Sequence, residues 1–235
     1  RKHISGSTKG FQVKNKTELI KVLEQILSKG ISVLAQELIP GPDTNHFKYS
    51  TYVSASGEVL GEFTLQKIRQ SPPHFGVGSV VESNYYPELI EAGRTLFKNI
   101  GYTGIGSAEF KKDERDGKLK LIEINPRYWQ QNYLATYCGI NFPIIQFNDM
   151  RGTATHIPNE YKTGVKWINR QLDFNSFIKY RKEGKLTYFQ WRKTLKGEKI
   201  YSDHSPSDPL PALVNIQFGL KYLVAPYKIF KWLTK

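Results

Sequence analysis

Two glutamates and an asparagine set the chemistry open to this sequence. They lie in Gly104–Arg127, which reads GIGSAEFKKDERDGKLKLIEINPR. Ser107–Lys112 and Lys118–Asn125 have the composition of strands, and the polar run Asp113–Gly117 between them closes on Asp-Gly, a hairpin signal. A loop centred on Asp116 places Glu109 opposite Glu123. Alternation along the second strand puts Leu121, Glu123 and Asn125 on one face. Two unit charges about 4 Å apart repel by roughly 4 kcal/mol at an effective dielectric near 20, so facing carboxylates call for a cation or a shared proton. Hard oxygen donors in so small a cluster suit Mg²⁺, which keeps water and phosphate oxygens around it. A solvent-facing hairpin with scattered charges is the other reading. It leaves unexplained why Asn125-Pro126-Arg127 closes an apolar strand.

The elements that must hold this hairpin follow from the pattern around it. Phe47–Ser54 and Glu58–Gln66 read as a second hairpin turned by Ala55-Ser56-Gly57. Its second strand runs on through Lys67 and Arg69, expected on one face of an extended segment, into a loop shaped by Pro72, Pro73, Gly76 and Gly78. That pair is either an exposed basic edge or a charge site for phosphate or carboxylate. His74 beside it is read as a loop histidine without a role. Tyr86–Ile100, entered through Pro87, reads as a helix packed beneath the metal hairpin. Upstream, Leu19, Val22, Leu23, Ile26 and Leu27 recur at helical spacing in Thr17–Lys29 and are expected in the core, with Gly30 as the stop. Ser32–Leu38 reads as a strand leaving through Pro40-Gly41. Downstream, Tyr133–Phe147 reads as helical, broken at Gly139 and Pro143, its aromatic residues read as core. Gly164–Asn169 suggests a strand, Phe174–Arg181 a helix and Asp203–Pro211 a proline-rich turn.

The 235 residues suffice for one large domain or two small ones. Hydrophobic content of 39% and charged content of 23% fit a folded globular chain and argue against disorder. A single cysteine, Cys138, excludes an internal disulfide and agrees with a reducing cytoplasm; no apolar run is long enough to span a bilayer. The net charge is +13, and 16 Lys and Arg against 6 Asp and Glu after residue 150 give +10 of it. This basic third admits nucleic acid, anionic lipid or an acidic substrate as partner, or is a solvated face. The aromatic, lysine-bearing tail from Phe218 could rest on a membrane surface or dock on the domain; docking is favoured.

An acidic residue on one strand and Glu-x-Asn-Pro-Arg at the end of the next resemble the metal site of the ATP-grasp ligases. The resemblance covers about Ser5 to Asp149 and implies an α+β fold, mainly antiparallel sheets with flanking helices, plus a basic C-terminal extension. It divides the chain into part of a small subdomain (1–45), a metal and nucleotide subdomain (46–150) and the extension (151–235). By resemblance, ATP and Mg²⁺, with Mn²⁺ as a substitute, are the cofactors. Glu109 and Glu123 are then metal ligands, Glu123 bridging two ions, with Asn125 on the second. Arg127 faces the phosphoryl group or the substrate carboxylate. Ser5, Gly6, Ser7 and Gly10 belong to a glycine-rich flap over the triphosphate; alone they read as a flexible turn. Gln36, Glu37, Leu38 and Ile39 match the adenine hinge, and Asp43 is a ribose contact. Lys67 and Arg69 in Lys-x-Arg-Gln-x-Pro-Pro are similar to a stretch leading to the active site of D-aspartate ligase-like members. The implied reaction activates a carboxylate as an acyl phosphate and joins it to an amine, releasing ADP and phosphate, with small-molecule substrates in the cytoplasm. Thiol ligation on the same fold, or a non-catalytic module gripping lipid or nucleic acid, are the alternatives, nucleic acid being the least favoured. The absence of methionine at Arg1, and of a lysine-bearing strand before the flap, lead to the expectation of a fragment inactive by itself.

Overall fold

A computed structural model of the protein describes residues 12–154, 160–204 and 210. The Ser5–Gly10 flap, the tail from Phe218 and most of the Asp203–Pro211 turn lie outside them. The chain order is α1 (Lys16–Leu27), a 3-10 turn (Asp43–Asn45), β1 (His46–Val53), β2 (Val59–Ser71), β3 (Val77–Ser83) and α2 (Pro87–Asn99). It continues with β4 (Gly104–Lys112), β5 (Leu119–Asn125), α3 (Asn132–Tyr137), α4 (Phe142–Met150), β6 (Lys166–Ile168), α5 (Arg170–Lys182), α6 (Tyr188–Thr194) and β7 (Lys199–Tyr201). The strands form one seven-stranded sheet in the order β5-β4-β1-β2-β3-β6-β7, antiparallel except for β6 and β7. This is the expected α+β class.

Alternation in β1 assigns the two faces of the sheet. Phe47 and Tyr49 point to one face and pack with Ala108, Phe110 and the apolar stripe Leu89, Ile90 and Phe97 of α2. The helix backbone comes so near that a Cβ on Gly93 would stand 2.3 Å from the Tyr49 ring. On the other face, Tyr52, Phe63 and Leu65 pack with Trp129, Leu134, Phe142 and Trp167. Fully burying side chains of this size contributes about 1.5–3 kcal/mol each. Further along, the same face turns polar. His46 and Lys48 on β1, Lys67 on β2 and Glu109 and Lys111 on β4 lie there, all buried. The sheet is therefore apolar where α3 and α4 cover it and charged beyond them.

Both expected hairpins form, with Glu109 directly opposite Glu123. Several expectations change. Register slips after Glu109, so that Phe110 pairs Leu121 and Ile122 is the extra residue. The bulge turns Leu121 to the face opposite Glu123. Ser32–Leu38 has no regular strand conformation and pairs with no described strand. Of the five apolar residues expected in the core from α1, only Ile26 is buried among the described residues, and Leu27 is 58% exposed. The helix itself is well started, with Asn15 Oδ1 accepting from the Glu18 backbone N–H at 2.9 Å. β3, within and beyond the stretch read as a loop, completes a third hairpin around Pro72–Gly76. At Gly76 a Cβ would meet the Ser71 carbonyl carbon at 2.1 Å, so this tight return needs glycine.

Candidate functional site

The polar half of the sheet gathers residues from four strands. Glu109 is its centre. One carboxylate oxygen is 3.0 Å from Lys48 Nζ and the other accepts from Lys67 Nζ at 2.7 Å. Burial alone would raise the Glu109 carboxyl, but the two lysines outweigh it and hold it down to about 2. Burial pushes the Lys48 ammonium down, while Glu109 opposes the change. His46 stands nearby on β1, and burial with the Lys67 and Lys111 charges lowers it to about 4. Lys67 also reaches the Gln70 side-chain oxygen at 3.4 Å.

The hairpin edge adds the next layer. Asn125 Nδ2 donates to Glu123 Oε1 at 2.8 Å, and Arg127 Nη2 donates to Asn125 Oδ1 at 3.2 Å. Arg127 Nη1 donates to the Tyr128 carbonyl at 3.1 Å. Glu109 pairs with Glu123 across the hairpin, as the residue count predicts, Asn125 and Arg127 extend from Glu123 by hydrogen bonds, and Lys67 binds Glu109. Ser107 pairs across strands with Ser50 and with Asn125. Both serine hydroxyls are buried and have no hydrogen-bond partner among the described residues. Two carboxylates and an amide oxygen on one hairpin face are the hard donors Mg²⁺ takes beside water and phosphate. No group of three or more His, Cys, Asp and Glu among the described residues is placed to hold a metal ion by itself. A cation here would thus draw on Asn125 and on oxygens from outside the chain, and the donor set fits one that shares its shell with phosphate.

Arg69 takes a different direction. Register slips on both sides of it. Its Nε donates to Asp173 Oδ1 at 2.6 Å and its Nη1 to Thr194 Oγ1 at 2.7 Å. Lys67 turns to Glu109 instead, so the expectation that the two bases act from one face is corrected: the bulge at Ile68 breaks the alternation. The residues expected at the adenine hinge run beside the β4–β5 hairpin. Gln36 Nε2 donates to the Ile122 carbonyl at 3.1 Å and Glu37 accepts from Arg115 Nη2 at 2.7 Å. Leu38 is exposed and Ile39 is buried. Asp43 accepts from the Tyr180 hydroxyl and, at 3.1 Å, from the His74 backbone N–H. Burial would raise its carboxyl, but the Tyr180 and His74 contacts prevail and lower it. His74, read from sequence as idle, also meets Glu183 at 3.0 Å.

Sequence reasoning passed over Lys48 and His46. The signal was present in β1, where His46, Lys48 and Ser50 alternate with Phe47 and Tyr49. An inward-facing polar row on a wholly buried strand marks a site and not a surface.

Residues 67–171 match the family described as "ATP-grasp in the biosynthetic pathway with Ter operon". The chain is similar to D-aspartate ligase of Enterococcus faecium (strain Aus0004), 27% identical over 140 residues, which is 58% of this chain and 33% of that protein. It is also similar to acetyl-CoA carboxylase of Saccharomyces cerevisiae, 24% identical over 49% of this chain and 5% of that protein. The chain thus spans at most about a third of the curated relatives it matches. Among solved structures it resembles N5-carboxyaminoimidazole synthetase from Staphylococcus aureus complexed with ADP (14% identity, TM-score 0.49, 66% of this chain and 40% of that one). It also resembles the biotin carboxylase–β-γ-ATP complex from Campylobacter jejuni (20% identity, TM-score 0.45, 56% of this chain and 30% of that one). No helix among the described residues is long and apolar enough to cross a membrane. Over residues 67–171 the chain matches the ATP-grasp family.

Proposed function

We propose that this chain is the ATP-binding portion of a ligase that activates a carboxylate as an acyl phosphate and joins it to an amine. The observation that carries the reading is Glu109 facing Glu123 across the hairpin, with Asn125 beside them and Lys48 and Lys67 on the same carboxylate. Glu109, Glu123 and Asn125 would hold Mg²⁺, for which Mn²⁺ could substitute. When bound, the metal neutralises the β- and γ-phosphates. Lys67 and Lys48 add fixed positive charge beside the transferred group, and Arg127 orients the γ-phosphate or the attacking carboxylate. Gln36, Glu37, Leu38 and Ile39 would line the adenine. Asp43, held by Tyr180 and His74, would meet the ribose, and Ser5, Gly6, Ser7 and Gly10 would cover the triphosphate. Arg69 fits a positioning role in this reading, tying β2 to α5 through Asp173.

In the first step a substrate carboxylate oxygen bonds to the γ-phosphorus and ADP leaves. In the second the amine nitrogen attacks the acyl carbon, phosphate leaves and the nitrogen gives up a proton. The chain's residues chiefly position and stabilise charge in both steps. The name of the D-aspartate ligase relative makes D-aspartate the first carboxylate to try. The test is ADP release by the full-length protein with paired carboxylates and amines, in wild type and Glu123→Ala. Losing this ligand should lower turnover by about 10²-fold or more. Near-normal release from the variant would remove Glu123 from the machinery and the reading with it.

A further inference from the structure

Away from the polar face, β6, β7, the start of α5 and α6 enclose a cavity of about 430 Å³, a volume in the range of small-molecule sites. Its lining joins aromatic rings to cations. Phe174 and Trp191 form an aromatic wall, and Arg170, Arg192, Lys196 and Lys199 surround it. We propose that this pocket binds an organic phosphate whose body is flat and apolar or aromatic.

The wall is built before any ligand arrives. Trp191 Nε1 donates to Asp173 Oδ2 at 2.8 Å, and the indole stacks on Phe177 at 4.6 Å between centroids with 20° between planes. One edge and one face of the ring are thereby fixed by the protein. Asp173 is 2% exposed, and its other oxygen takes Arg69 Nε. The one carboxylate in the lining is thus already matched by a buried arginine, so the surrounding cations set the field. Two of them are partly engaged. Arg170 pairs with Asp203 at 3.1 Å and lies 5.3 Å above the Tyr201 ring, while Lys199 Nζ donates to the Leu195 carbonyl at 2.7 Å. Arg192 and Lys196 are exposed and form no salt bridge among the described residues. Two unmatched cations and two partly engaged ones are more charge than one carboxylate needs and suit a phosphate, which arginine can grip with two parallel hydrogen bonds. The rings beneath supply an apolar surface for the body that carries it. A part of the basic excess of the C-terminal third thus has a specific place in the fold, and the inference does not depend on the ligase reading.

The test titrates phenyl phosphate, inorganic phosphate and phenol into full-length protein without nucleotide. Calorimetry gives affinity, and the Trp191 indole N–H resonance reports location. Phenyl phosphate should bind at least ~10-fold more tightly than either half alone, two contacts being made at once. It should shift the Trp191 signal, and Arg192→Ala with Lys196→Ala should weaken it by about tenfold or more. Both substituted side chains are exposed, and circular dichroism checks that the variant folds. A Trp191 signal that stays still in the wild type overturns the proposal whatever the variant does. So does inorganic phosphate or phenol matching phenyl phosphate, or a folded variant that binds it as before.

Discussion

Replacing Glu109 by Gln tests the centre of the polar cluster directly. The change keeps the shape of the side chain and removes its charge, leaving Lys48 and Lys67 buried without their shared partner. Its size follows from the carboxyl itself, held at about 2 in the folded protein against an ordinary 4.5. At about 1.36 kcal/mol per pKa unit, that difference corresponds to about 3 kcal/mol of stability at neutral pH. The figure agrees with the ~3–5 kcal/mol typical of breaking a buried ion pair from one side. The pH dependence has a definite sign. A carboxyl depressed on folding stabilises fully above its unfolded pKa and loses that contribution as pH falls through 4.5 toward 2. About 2 kcal/mol should be gone by pH 3. Urea unfolding of wild type and Glu109→Gln at pH 7 and pH 3 measures both quantities. The variant should be less stable by about 3 kcal/mol at pH 7, and the gap should narrow to between about 1 and 2 kcal/mol at pH 3. Equal stability at pH 7, or a gap that does not narrow, would refute the reasoning that the two lysines hold Glu109 ionised.

Other outcomes follow from single contacts. His46, lowered from 6.5 to about 4, should cost stability as pH falls from 6.5 through 4, because the unfolded chain takes up the proton first. Lys67, Lys111, Glu109 and Asp43 share its surroundings, so comparing unfolding curves of wild type and His46→Gln isolates its part; parallel pH profiles would exclude it. Gly93→Ala places a Cβ 2.3 Å from the Tyr49 ring, and thermal unfolding should show a loss of about 1–3 kcal/mol from overpacking. Arg69→Met leaves the buried Asp173 charge on α5 without its cation and should cost about 3–5 kcal/mol in urea unfolding.

Much of the site was legible because its signals are local. Asp113–Gly117 turns one hairpin and Ala55-Ser56-Gly57 another, so a count of residues was enough to set Glu109 against Glu123. Alternation then placed Asn125 with Glu123, and Pro87 with the Leu89, Ile90 and Phe97 stripe gave α2. Where a residue was added, counting failed. The bulge at Ile122 moved Leu121 to the other face, and the slips around Arg69 separated it from Lys67. A bulge depends on how two strands meet, and neither strand's own pattern records it.

Local pattern sets which side chains can share a face and which stretches can turn, because both depend on neighbours within a few residues. Which charges meet depends on how the elements pack. Lys48 reaches Glu109 from a strand some sixty residues earlier, and Arg69 meets Asp173 across 104 residues. Trp191 is fixed by Asp173 and Phe177. Such pairs arise when β1 is placed between β2 and β4 and α5 is laid against β2. Burial then makes each unmatched charge costly enough that its partner matters to the fold, an energy that exists only once water has been excluded.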